Sequence, residues 1–327
     1  MTEPDAIPAV TTGPTLPERL RWAISKGGIV IPFIIVFVVL SIISGPFLRA
    51  QNLTNILDQQ AAIIIVAAAG TLVLIAGGID LSVGALYGLA GATAAQLAVS
   101  FGPAVGIVAA LGVGLAAGLA NGVIVTQFRI NPLIGTLAMS FVIGGIGAIA
   151  TQGNLVVVFD HPEFQTFAAT KIAGITSAAW MMIVLAIGAA ILLSRTTFGR
   201  YVYATGGNAE AARLGGVRIN TVRVATYALS GMAAALAGTI DASRTLSAQA
   251  SAGSFLTFTV LTGIIVGGTS ILGGEGSVPR TVVGCFFVAL VANGFNLLGL
   301  DPFYQQVTLG IILLFAVGTD AWSRRLG

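Results

Sequence analysis

Apolar runs long enough to cross about 30 Å of hydrocarbon recur from one end of this chain to the other. They fall near 28–45, 60–77, 81–100, 104–127, 133–151, 175–194, 222–240, 254–271, 281–299 and 304–321. About ten spans are predicted, and the tight hairpins at 77–81 and 271–281 leave the count open by one. The fold class that follows is all-α, a polytopic transmembrane helical bundle. The longest stretches outside the spans, 152–172 and 195–221, read as loops. Residues 1–27 read as a polar, proline-bearing cytoplasmic tail, leaving 28–323 as a single membrane domain. The first apolar run ends in Gly-Pro-Phe-Leu-Arg rather than a small-x-small cleavage pattern, so it reads as a retained anchor, not a leader.

Composition agrees with this pattern. Of 327 residues, 56% are hydrophobic, 43 are glycine and only 8% are charged, against about 25% charged in soluble domains. A soluble enzyme, a disordered chain and a disulfide-stapled module are excluded. The net charge of +3 is spread without a run suited to a nucleic-acid backbone. Charge position says more. With the N-terminus inside, twelve basic residues fall on the cytoplasmic side, among them Arg129, Arg200, Arg213, Arg218, Arg223, Arg280 and the Arg324-Arg325 pair. Only Arg49, Lys171 and Arg244 fall outside, so the positive-inside bias places both termini in the cytoplasm.

Small residues mark how such helices pack, because lipid gives no hydrophobic drive between them. Gly114, Gly118 and Gly122 repeat at four-residue spacing, as do Gly263 and Gly267. Close helix packing is the expected role. The single cysteine, Cys285, sits in an apolar run and reads as a small buried thiol. The single histidine lies in Asp160-His161-Pro162-Glu163, a solvated turn rather than a metal cage.

Three stretches carry chemistry. In Gly77-Gly78-Ile79-Asp80-Leu81-Ser82, a carboxylate appears where two glycines end an apolar run. Asp80 either caps the next helix, with Ser82 in its first turn, or faces a polar cavity. The later Gly267-Gly268-Thr269-Ser270 echoes it and hints at duplicated halves. Asn121, beside the Gly114/Gly118/Gly122 row, either bonds a neighbouring helix or faces a polar path, and Ala292-Asn293-Gly294 repeats its setting. Pro132 then breaks the chain before the span bearing Thr136 and Ser140. The third stretch, Gly206-Gly207-Asn208-Ala209-Glu210-Ala211-Ala212-Arg213-Leu214-Gly215-Gly216, lies in the longest cytoplasmic loop. Asn208 suits the N-cap of a two-turn helix, Glu210 its positive end, Arg213 its last turn, and the glycines its stop. An Ala-rich peg between glycine breaks has little to bury within its own chain, which points to docking on another protein. The phosphate-binding pattern Gly-x-x-x-x-Gly-Lys-Ser/Thr is missing from the sequence, so any ATP that drives this protein is bound by another chain.

From Asn52 to Val317 the chain resembles permease subunits of bacterial ABC importers of the ribose/galactose/xylose type. The resemblance is carried by Asn52-Leu53-Thr54-Asn55-Ile56-Leu57, the Gly77–Gly84 hairpin and Phe198-Gly199-Arg200 through Leu214. Tyr227-Ala228-Leu229-Ser230-Gly231, Gly267-Gly268-Thr269-Ser270 with Gly273-Gly274, and Asn293-Gly294 complete it. It implies a type II importer-like permease fold in the bacterial inner membrane. The implied assembly is a permease homodimer, a cytoplasmic ATPase carrying ATP and Mg, and a periplasmic binding protein that delivers a monosaccharide. The peg would be the coupling helix, with Gly199, Arg200, Gly206, Gly207, Asn208, Glu210, Ala211, Arg213, Leu214 and Gly215 as coupling residues. Asp80, Ser82, Asn121, Thr136, Ser140 and Asn293 are the expected substrate-path residues. Branched-chain amino acids, nucleosides or a furanosyl signalling molecule are alternative cargoes within the family. An ion-coupled secondary transporter is the rival from another class, for which only Asp80, Asp58 or Asp241 could serve as an ion site.

Overall fold

A computed structural model describes residues 28–323, with side chains to residue 318. The tail before residue 28 and the Arg324-Arg325 pair lie outside the described residues. In chain order the helices and strands are α1 (Val30–Ile43), α2 (Ala50–Ile75), α3 (Val83–Phe101), α4 (Pro103–Thr126), α5 (Pro132–Thr151), β1 (Val156–Val157), α6 (Thr166–Ala169), β2 (Lys171–Ile172), β3 (Ile175–Thr176), α7 (Ser177–Arg195), α8 (Thr197–Gly207), α9 (Ala209–Leu214), α10 (Ile219–Thr245), β4 (Ser247–Ala248), α11 (Leu256–Val266), α12 (Val278–Leu297) and α13 (Pro302–Ser323). Among the described residues, six helices are long and apolar enough to cross a membrane: α2, α3, α4, α5, α7 and α12. Helices α1, α11 and α13 are apolar over shorter lengths, and α10 is the longest of all, at 27 residues, but more polar.

Boundaries differ from the hydropathy pattern where polar residues continue a helix. The span expected from residue 60 begins at Ala50, because Gln51, Asn52, Asn55 and Asp58 ride on the first turns of α2. The span expected over 254–271 is only the 11-residue α11, ended by Gly267 and Gly268. Residues 195–221, expected to be a loop with one peg, hold two helices, since Thr196 Oγ1 accepts from Gly199 N at 3.2 Å and starts α8.

Helix α10 is the central post, packed on α4, α3 and α2. Small residues make this possible. A Cβ on Gly114 would lie 2.6 Å from the Gly231 carbonyl, one on Gly118 would strike the Tyr227 carbonyl, and one on Gly122 would lie 2.7 Å from Val224 Cα. Gly263 and Gly267 abut α12 in the same way, with Cys285 buried at that contact. Several buried hydroxyls return to their own helix, as in Thr71 to the Ala67 carbonyl (2.7 Å) and Thr239 to the Ala235 carbonyl (2.8 Å), which satisfies them without water. Many large apolar side chains face outward, among them Ile149 at 79% and Phe315 at 74% exposed, as expected of a lipid-facing rim.

The connections gather at two poles. At one, Gly274 N donates to the Ile75 carbonyl (2.9 Å), Tyr203 Oη to the Gly276 carbonyl (2.8 Å) and Arg223 Nε to the Ala76 carbonyl (3.3 Å). At the other, β1 pairs antiparallel with β4, β2 with β3, and Thr176 Oγ1 donates to Asp58 Oδ1 at 2.6 Å.

Candidate functional site

The peg is built by its own sequence. Asn208 Oδ1 accepts from Ala211 N at 3.0 Å and opens the six-residue α9. Arg213 closes on Glu210 with two hydrogen bonds, of 2.6 and 3.1 Å. That pairing holds the Glu210 carboxyl below the usual carboxylate range and raises the Arg213 guanidinium. Gly216, at φ +84°, ends the helix, with Val217 N bonded to the Ala212 carbonyl at 3.0 Å. Ala212 is the one buried residue of α9, whereas Leu214 stands 76% exposed at its tip. Helix α8 roots the peg: Gly199 is buried against the end of α7, and Arg200 is exposed and donates to Thr197 Oγ1 at 3.0 Å.

Behind the peg, glycines far apart in sequence meet backbone to backbone. Gly206 packs on the Ile75 carbonyl, where any Cβ would collide. A Cβ on Gly273 would lie 2.9 Å from Gly77 Cα, and one on Gly274 would lie 2.8 Å from Gly207 Cα. Gly77, Gly206–Gly207 and Gly273–Gly274 therefore meet in one backbone junction, while Gly78 faces the Tyr227 ring. The root of the peg, at the end of α8, is thus in direct contact with the end of α2 and the hairpin that carries Asp80.

Asp80 is buried, and the structure surrounds it with donors from three elements. Its Oδ1 accepts from Ser82 N (3.0 Å) and Ser82 Oγ (2.7 Å), and its Oδ2 accepts from Ser230 Oγ of α10 (2.8 Å). Asn121 Nδ2, from α4, donates to Ser82 Oγ at 2.7 Å and lies 3.4 Å from Asp80 Oδ1. Tyr227 Oη donates to the Ile79 carbonyl at 3.1 Å. Thr136 of α5 reaches the same hairpin, accepting from Leu81 N at 3.0 Å. Asp80, Ser82, Asn121 and Thr136 are thus brought together, as bonds between α3, α4, α5 and α10. Ser230 and Tyr227 complete the cluster; the sequence marks their segment only through the family resemblance, and only the fold brings the two side chains within reach of the 79–80 turn.

Asn293 lies elsewhere, exchanging side-chain amide hydrogen bonds of 2.9 and 3.2 Å with Asn52 between α2 and α12. Ser140 lines a cavity of about 290 Å³ together with Gln249, Ser251, Ser254 and Thr257. No charged side chain lines it; its walls offer hydroxyls, one amide and glycine backbone. The strap of residues 246–255 that forms one wall was not singled out by sequence, because its strand β4 is two residues long and pairs across the chain with β1.

A family described as branched-chain amino acid transport system, permease component, matches residues 52–317. The ribose import permease of Escherichia coli K12 is 35% identical over 294 residues, which cover 89% of this chain and 92% of that protein. The ribose import permease of Bacillus subtilis 168 is 37% identical, covering 88% and 90%. The fructose import permease of Rhizobium meliloti is 32% identical, covering 95% and 90%. No solved structure matches the chain.

Proposed function

The chain belongs to this family of multi-pass transport permeases, and from that premise we propose that it is the membrane subunit of an ATP-driven monosaccharide importer in a bacterial inner membrane. Residues 28–323 act as one transmembrane body with 195–221 as its cytoplasmic arm. ATP and Mg are held by a partner ATPase, a binding protein delivers the sugar from the periplasm, and two permease chains pair across the membrane. The observation that carries this reading is the peg: a self-capped helix with an exposed Leu214, rooted through Gly206 on the end of α2. Zero clearance at the glycine junction means that a push on α9 moves the 75–82 hairpin, because no flexible side chain absorbs it. The hairpin in turn holds α4 and α10 through Ser82, Asn121 and Ser230. Displacement at one pole is thereby delivered to the central post, as alternating access requires.

Sugar is favoured over a branched-chain amino acid by the cavity at Ser140. A zwitterion calls for charged or strongly polar partners, whereas hydroxyls and one amide suit a neutral polyol. Ser140, with Gln249 and Ser254, is the more direct candidate for the path, while Asp80, Ser82, Asn121 and Thr136 shape it from the adjoining helices.

The test uses proteoliposomes holding the permease, its ATPase and its binding protein. Glu210→Arg and Arg213→Glu place like charges three residues apart on α9, and Leu214→Asp removes the apolar tip. Each is expected to cut ATP-driven uptake about tenfold or more while leaving the permease inserted. Full uptake and full ATPase co-purification in all three variants would overturn the coupling role.

A further inference from the structure

Beside the peg lies a concavity of about 710 Å³, between the α4–α5 turn and residues 209–223. Four guanidiniums line it, from Arg129, Arg213, Arg218 and Arg223, and no acidic residue does. Two of them are already engaged: Arg213 is paired with Glu210, and Arg223 donates to the Ala76 carbonyl. Arg129 and Arg218 are exposed and have no carboxylate partner among the described residues.

The turn that presents Arg129 is held in place. Asn131 Oδ1 accepts from Leu133 N at 3.0 Å and fixes the start of α5, with Pro132 as its first residue. Arg129 itself sits at φ +53°, a left-handed conformation that costs a non-glycine residue energy and that tends to be kept where it serves a site. Next to it Phe128 is 71% exposed, so the turn offers an aromatic and an arginine side by side. Phenylalanine and arginine are both enriched in protein interfaces relative to the rest of the surface, and arginine also among their energetic hot spots.

Building on the coupling role of α9, we propose that the α4–α5 turn is the second half of the ATPase dock, and that the cavity receives an acidic segment of that ATPase against Arg129 and Arg218. The occupant is assigned by charge: uncompensated guanidiniums in a concave site favour a carboxylate-bearing protrusion. Continuity assigns the partner, because Ala209 and Arg213 of the peg form a wall of the same cavity. The peg supplies position, and the arginine pair supplies steering and an ionic-strength dependence.

The experiment retains the cognate ATPase on tagged permease, in nanodiscs of zwitterionic lipid and of mixed zwitterionic and anionic lipid. Arg129→Glu with Arg218→Glu is expected to weaken retention by roughly tenfold or more and to flatten its fall between about 50 and 500 mM NaCl. Arg129→Lys with Arg218→Lys keeps the charge, and is expected to retain most of the binding and its salt dependence. Size-exclusion profiles of all variants report folding. Unchanged retention in the double Glu variant, with retention lost on Leu214→Asp, overturns the second dock while the peg stands. If Leu214→Asp also leaves retention and uptake intact, the coupling reading itself has failed. An effect of the Glu variant that needs anionic lipid and leaves ATPase retention untouched assigns the cavity to lipid phosphate and overturns the proposal.

Discussion

Asp80 shows how a single residue reaches beyond its segment. A carboxylate inside a helical bundle is tolerable only when its oxygens are occupied. Here Ser82 supplies two donors and Ser230 a third. Asp80→Ala leaves the Ser82 and Ser230 hydroxyls without their acceptor in a buried site, at a cost of about 1–3 kcal/mol for each unsatisfied group. Asp80→Asn keeps one oxygen and loses the charge, so it should fall between the wild type and the alanine variant. Ser230→Ala removes a single donor and should cost less than Asp80→Ala. Thermal unfolding of the purified permease in detergent, followed by size-exclusion recovery, should rank them wild type, Asp80→Asn, Asp80→Ala. Equal midpoints for all three would show that the cluster does not tie the hairpin to α4 and α10. The sequence made Asp80 conspicuous, because one carboxylate after two glycines stands out in an apolar chain. Its bonding to Ser230 was invisible, since the two residues are 150 positions apart and serine in a membrane helix is unexceptional.

At the scale of elements, the contact of α4 with α10 is set by glycines on one face. Gly118 lies against the Tyr227 carbonyl, whereas Gly112, on the same helix, has open space where its Cβ would be. Gly118→Val should therefore force the two backbones apart, at about 1–3 kcal/mol or more. Gly112→Val should change stability little, and the pair measured by thermal unfolding separates packing from a general loss of glycine. Equal effects would refute the packing role. This contact was legible in the four-residue spacing, as was the peg, because a cap, a first-turn acid and a glycine stop lie within a few positions of one another. The echo of Gly77-Gly78 in Gly267-Gly268 also has a counterpart in the backbone. Gly77 and Gly268 both take φ near +80°, and the next residue bonds back to the carbonyl five positions before (Gly78 N to Val73, Thr269 N to Ile264). The register is shifted by one from the sequence echo, and the second hairpin is longer, reaching Ser277 before its next helix. Elements that hydropathy misplaced are those where polar residues continue a helix, such as the start of α2, or where a helix stops early, such as α11.

For the whole molecule, the question is how the two poles communicate. Helix α10 has 27 residues, roughly 40 Å at 1.5 Å per residue, and runs from the peg's pole to the strap of residues 246–255. The strap leans on α3 and α5: Gly253 packs against the Gly84 carbonyl, and a Cβ on Gly147 would lie 3.1 Å from Ala250 Cβ. The cavity at Ser140 is bounded by this strap, so movement at the peg can open it only if strap and α5 separate. A disulfide between Gly147→Cys and Ala250→Cys tests this directly. Its Cβ atoms need about 3.8 Å, about 0.7 Å more than the contact provides, and Cys285 is buried and will not compete. Oxidised proteoliposomes should lose ATP-driven uptake while still binding the ATPase, and reduction should restore it. If the oxidised pair carries sugar at the wild-type rate, the strap is a fixed wall and the outward opening must lie between other helices.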